Sequence, residues 1–189
     1  MIELARILRT VVDALERTQV GYVVVGSTAA AAWGVARATR DIDIVVMVGA
    51  DELDMILDAL LAACLYVPVE QAHGVANAGG SFNVLDPSHG GKVDLFLTRP
   101  DDAFTSSRLA RRIRADVFDV PCWVASAEDV VLAKLRWRLD SRSEVQWRDC
   151  VEIASTNELD AAYLRHWAQN LGVTDDLEDL LTATDTDLD

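Results

Sequence analysis

The sequence predicts an α/β (α+β) protein: a mixed sheet flanked by helices to about Val124, followed by a helical portion. Three observations carry that reading. Short apolar runs bounded by turn residues, such as Tyr22-Val23-Val24-Val25 before Gly26-Ser27, have the length and branching of strands. Segments with apolar residues every three or four positions alternate with them, as helices do. From Ser126 onward the strand signals stop and helical spacing continues. With 189 residues, 51% of them hydrophobic, the chain has enough apolar material for a core.

Each element follows from local pattern. Ile2 to Glu16 sets Ile2, Leu8, Val11 or Val12, and Leu15 at helical spacing, and Gly21 breaks the pattern. Tyr22 to Val25 reads as a short buried strand, Gly26-Ser27 as a turn, and the alanine-rich Thr28 to Trp33 as a helix that Gly34 ends. Asp41 to Val48 is a second strand, with Asp41, Asp43 and Val45 on one face and Ile42, Ile44 and Val46 on the other. Asp51 to Leu65 is an amphipathic helix with Asp51 as its N-cap. Gly79 to Leu85 and Lys92 to Leu97 are strands around the turn residues Asp86 to Gly91. Ala110 to Phe118 and Val120 to Val124 form another pair, with Pro121 pushing its strand toward an edge. Ser126-Ala127-Glu128-Asp129 starts a helix that runs through Leu139, and further helices are expected at Ser143 to Ala154, Glu158 to Leu171 and Asp175 to Leu181. The expected organisation is an α/β domain over residues 1–125 and a helical portion over 126–189 packed on it, its last residues frayed.

Composition narrows the function classes. The formal net charge of -14 weighs against a general nucleic-acid coat protein, because an acidic surface repels phosphate backbones. Most arginines fall in two stretches, Arg108 to Arg114 and Arg136 to Arg148, which leaves room for a local basic patch or for solvated faces paired with nearby acids. Cys64, Cys122 and Cys150 are scattered and odd in number, so they read as reduced core residues rather than a disulfide framework or a zinc site. The amphipathic N-terminus is no signal peptide and no apolar run is long enough to span a membrane, so the expected compartment is the cytoplasm.

The chemistry concentrates in Gly26-Ser27 and in Thr39-Arg40-Asp41-Ile42-Asp43. Two carboxylates on one face of an apolar strand repel each other unless a cation or an arginine lies between them. Hard oxygen ligands of this kind suit magnesium, which takes substrate phosphates as further ligands. Val93-Asp94-Leu95-Phe96 supplies a third acid in an apolar strand; beside the first strand, Asp94 would complete the cluster or serve as general base. Gly26 lets backbone N–H groups approach phosphate oxygens at a helix start, and Ser27 adds a hydroxyl. Taken singly each piece has a plainer structural account: a turn, an exposed strand end, an Asp94 paired with Lys92 or an arginine.

Together, Val23-Val24-Val25-Gly26-Ser27 and Asp41-Ile42-Asp43-Ile44-Val45 resemble the signature of the nucleotidyltransferase (polymerase beta-like) superfamily. The long insertion ending Arg37-Ala38-Thr39-Arg40, with Glu128 to Arg136 and Gln146-Trp147-Arg148-Asp149, is similar to the AbiEii-like nucleotidyltransferases of bacterial toxin–antitoxin and abortive-infection systems. The resemblance covers Val20 to Ile153, and the chain departs from it at Leu139 to Glu144, which leaves Arg148 and Asp149 without an assigned role.

The resemblance implies a nucleotidyltransferase-type mixed sheet and transfer of a nucleoside monophosphate from a nucleoside triphosphate to a hydroxyl acceptor. It implies Asp41, Asp43 and Asp94 as catalytic magnesium ligands for one or two ions. Gly26, Ser27, Arg40 and Lys134 would hold the triphosphate, whereas Lys134 read alone is equally a helix-surface lysine. Trp33, Trp137 and Trp147 are candidates to stack on a base, although at helical spacing an aromatic is more often core. Three readings of function stay open at this point. One is a transferase of RNA, a tRNA end or a protein, as a toxin paired with a cognate antitoxin. Another is a transferase of a small aminoglycoside-like molecule, and the last is a non-catalytic binding module.

Overall fold

The structure, a computed structural model, describes residues 2–36, 39, 41–49 and 52–185, the side chains of Asn77 and Asp185 excepted. The chain divides into two compact units, Met1–Thr28 with Ala38–Ala125, and Ala29–Arg37 with Ser126–Asp189. The expected N-cap Asp51 lies outside the described residues, as do the last residues expected to fray.

The first unit contains α1 (Ile2–Thr18), β1 (Tyr22–Val25), β2 (Ile42–Met47), α3 (Leu53–Ala62), α4 (Val69–Ala78), β3 (Gly80–Leu85), β4 (Lys92–Thr98), α5 (Ala103–Arg111), β5 (Ile113–Val117) and β6 (Val120–Val124). Between β1 and β2 lies α2 (Gly26–Ala32), whose first residues belong to this unit and whose alanines from Ala29 belong to the other. The strands form one six-stranded mixed sheet in the order β3-β4-β2-β1-β6-β5. Strand β2 runs antiparallel to β1 and parallel to β4, whose neighbour β3 closes that side as an antiparallel hairpin.

Period-two alternation decides which face each side chain takes. Ile42, Ile44 and Val46 of β2 and Val93 and Leu95 of β4 are fully buried on one face. Helix α1 lies against α3, β4 and β6, and buries Ile7, Leu8, Val11 and Leu15. Each such side chain removed from water contributes roughly 1.5–3 kcal/mol before the entropy of ordering it is counted. The opposite face of β2 and β4 carries Asp43 and Asp94.

Three sequence expectations need correction. Pro121 does not place its strand at an edge: β6 lies between β1 and β5, and β5 is the edge. The proline is accommodated because β6 meets β1 at Val24↔Val124, while Pro121 is paired with Asp116 of β5 at the far end of the strand. Cys64 is exposed rather than core, at a left-handed φ of 62° just past α3. The segment read as a strand from Ala110 begins inside α5, a helix whose N-cap Asp102 accepts a hydrogen bond from the Thr105 amide.

The second unit is helical: α6 (Ala127–Ser141), α7 (Glu144–Thr156), α8 (Ala161–Leu171) and α9 (Thr174–Asp185). Ser126 caps α6 by accepting from the Asp129 amide, and its hydroxyl donates to Asp129 Oδ2, which fixes the cap's orientation. Helix α6 packs on α7 and α8, and α9 on the same two. Leu132, Leu135, Cys150, Ile153, Leu164, Leu177 and Leu180 are buried without measurable exposure. Asn157 joins the early segment to these helices, donating to the carbonyls of Trp33 at 3.0 Å and Ile153 at 2.9 Å. No helix among the described residues is long and apolar enough to cross a membrane.

Candidate active site

Strand β1 ends at Val25, which stands opposite Asp43 in the antiparallel β1–β2 pair. The next residue, Gly26, has φ +66°, and a Cβ built there would sit 2.1 Å from Asp43 Oδ2. The absent side chain at Gly26 is therefore what lets the Asp43 carboxylate lie against the turn. On the other side of Asp43, the parallel register places Asp94 directly alongside it. Opposite partners in neighbouring strands point to the same face, so both acids share one side of the sheet.

Asp41 lies just before β2. Its backbone carbonyl accepts from the Thr28 hydroxyl at 3.2 Å and the Thr39 hydroxyl at 2.8 Å, while its carboxylate remains half-exposed. Lys92, the first residue of β4, links it to Asp94: the Nζ lies 3.4 Å from Asp41 Oδ1 and 3.0 Å from Asp94 Oδ2. The hydrogen bond to Asp94, with Asp41 as a smaller contributor, holds the Lys92 ammonium above the usual lysine range despite partial burial. Asp94 Oδ1 is buried and has no hydrogen-bond partner. A buried carboxylate oxygen without a donor, beside a second carboxylate, is a donor set chemically suited to a hard cation. No three His, Cys, Asp or Glu side chains among the described residues converge closely enough to cage a metal by themselves. A cation here would complete its shell from phosphate or water, as magnesium commonly does.

The other sequence candidates are placed as follows. Ser27 lies in the first turn of α2, and Arg40 lies outside the described residues. Lys134 is in the second unit and is not a helix-surface lysine: it is 4% exposed and donates to Asp149 Oδ2 at 2.6 Å and Gln146 Oε1 at 2.9 Å. This buried pair, together with Asp149's place in it, was missed by sequence reasoning; its partners are fifteen residues apart on different helices. Of the tryptophans, Trp137 is exposed, and Trp147 carries the Arg138 guanidinium over its ring at 4.8 Å.

Arginines of both stretches have partners within the fold. Arg108 lies over Phe104 at 4.5 Å, Arg112 and Arg114 lie over Trp123, and Arg138 pairs with Asp176. Cavities of about 310 and 320 Å³ open at the other end of β2 and β4, around Val48, Ala76 and Arg99, and include none of the three acids. The three acids thus lie by the strand starts and the Gly26 turn, away from those cavities.

No protein-family model matches the sequence, and no curated protein matches it as a relative. Solved structures do resemble it in fold. An antigenic nucleotidyltransferase-like protein from Paracoccidioides brasiliensis superposes with a TM-score of 0.55 at 16% identity, covering 96% of this chain and 93% of that one. ANT(2")-Ia in complex with adenylyl-2"-tobramycin superposes with a TM-score of 0.50 at 10% identity, covering 98% of each chain. At such identities the likeness concerns architecture: the chain has a nucleotidyltransferase-like α/β fold.

Proposed function

We propose that this protein is a magnesium-dependent nucleotidyltransferase that moves a nucleoside monophosphate from a nucleoside triphosphate to a hydroxyl acceptor. The observation that carries the reading is the in-register pair Asp43 and Asp94 on parallel strands, with Gly26 pressed against the first carboxylate. Asp41, Asp43 and Asp94 are the residues that would hold magnesium. When bound, the ion neutralises charge developing on the phosphate oxygens.

The chain's own groups do the rest. The glycine turn presents backbone N–H groups to the triphosphate, and the Ser27 hydroxyl adds a donor. The acceptor hydroxyl attacks the α-phosphorus, the bond to the bridging oxygen of the β-phosphate breaks, and pyrophosphate leaves. Asp94 Oδ1, which has no donor of its own, is the oxygen available to accept the hydroxyl proton. Arg40 and Lys134 belong to this reading as triphosphate contacts, Lys134 only if its ion pair with Asp149 opens.

For the acceptor, an RNA or protein hydroxyl modified by a toxin-type enzyme with a cognate antitoxin is one reading. A second, a small polycationic aminocyclitol, is favoured by the net charge of -14, which steers cations toward the protein.

The test is transfer of label from each α-labelled nucleoside triphosphate, with magnesium, to total RNA, to the protein itself and to aminocyclitols. Label should move to one acceptor class and be lost in Asp43→Asn with the fold intact. Undiminished transfer by Asp43→Asn would overturn the assignment.

A further inference from the structure

Lys92 holds its ammonium where a cation between carboxylates belongs. It touches Asp41 Oδ1 at 3.4 Å and Asp94 Oδ2 at 3.0 Å, so one positive charge draws together the acid before β2 and the acid inside β4. The root of this side chain is fixed. The preceding Gly91 has φ +101°, and a Cβ there would come 2.9 Å from Ile7 Cγ2, so the backbone is seated directly on α1. The side chain itself is free to leave: it is 34% exposed, on a flexible four-carbon stem. Asp94, in contrast, is mostly buried and keeps its second oxygen without any donor. A buried oxygen left without a donor is the exception in folded proteins, and this one sits on the acid that Lys92 holds.

Resting on the metal-binding reading above, we infer that Lys92 is a built-in counter-ion that stands in for the divalent cation until substrate arrives. Without it, Asp41 and Asp94 would face each other with no ammonium between them. With it, a divalent cation must displace an ammonium already held by two carboxylates, so the cation binds weakly on its own. A triphosphate changes the balance, because its phosphates offer the displaced ammonium a new anionic partner. Cation and nucleotide then reinforce each other's binding, and the coupling is reciprocal. Lys92 is thus a positioning residue that acts through the carboxylates.

The experiment is a Mn2+ titration of the nucleotide-free chain, with free Mn2+ read by electron paramagnetic resonance. Lys92→Met should bind Mn2+ about tenfold or more tighter than wild type, the direction set by removing a unit charge at contact distance. Lys92→Arg, which keeps the charge, should retain the weak affinity, and Asp43→Asn in the Lys92→Met background should remove the tight site. If Lys92→Met does not fold, Lys92→Gln replaces it and carries the same expectation. Binding by a folded charge-removed variant that is no tighter than wild type overturns the counter-ion role. Where Asp43→Asn still weakens Mn2+ binding in that case, the metal-binding reading stands and only the role of Lys92 fails. Mn2+ binding indifferent to Asp43→Asn in every background overturns both.

Discussion

At Gly26 two independent constraints meet in one residue. Its φ of +66° disfavours any L side chain, and the space a methyl would need is taken by Asp43 Oδ2, 2.1 Å from the built Cβ. Gly26→Ala should therefore cost roughly 1–3 kcal/mol in urea denaturation and also displace the Asp43 carboxylate, so that any transfer activity falls further than stability does. Lys134 makes the opposite case, a charge kept in the interior by its partner. Lys134→Met takes the ammonium from the buried Asp149 carboxylate and should destabilise by about 3–5 kcal/mol. Adding Asp149→Leu should restore most of that loss in the same denaturation assay, and a double variant no better than the single would show that the pair is not what holds these helices. The face of Asp43 was legible because a period of two along the apolar strand fixes it from spacing alone, whereas Asp41 lies just before β2. The burial of Lys134 was not, because nothing within one helical turn announces a partner that arrives on the next helix.

Among elements, the helices whose caps and apolar stripes agree are the ones a reader finds. Helix α6 has both: Ser126 is bonded to the Asp129 amide, and Val131, Leu132 and Leu135 are buried along it. Helix α5 buries Thr105 and Arg108 instead of an apolar stripe, so its periodicity is silent and only the cap marks it. That cap is also its main local support. Asp102 accepts from the Thr105 amide and from the Thr98 hydroxyl, so Asp102→Ala should cost about 1 kcal/mol. Asp102→Asn should recover most of it, measured as a shift in denaturation midpoint. Helix α4 was equally silent: Pro68 precedes it without a side-chain cap, and Gly74 interrupts it. The position of β6 inside the sheet was misjudged from Pro121 because a proline is restrictive only where a neighbour needs its amide, and β1 meets this strand at Val124.

For the molecule as a whole, thiol chemistry reads out the packing. Burial pushes the Cys122 thiol up to about 11 and the Cys150 thiol up to about 12, while Cys64 is exposed. A thiol reagent at neutral pH should titrate one of the three cysteines in the native chain and all three in denaturant. Both buried thiols have raised values, so their share of stability is present below the ordinary thiol range near ~8.5. It is lost as pH rises through about 11 and about 12, and alkaline unfolding monitored by circular dichroism should show it. The interrupted second unit has a further consequence, for the order in which the chain is made. Ala29, Ala30 and Val35 leave the ribosome early, yet they belong with helices that begin only after Ser126. Until Asn157 is synthesised, the Trp33 carbonyl also lacks the amide that binds it. A nascent chain halted at Ala125 therefore carries a finished sheet sequence and an apolar loop still waiting for its helices, the kind of segment that chaperones hold. Synthesis runs from one end to the other, but the second unit must be closed from both.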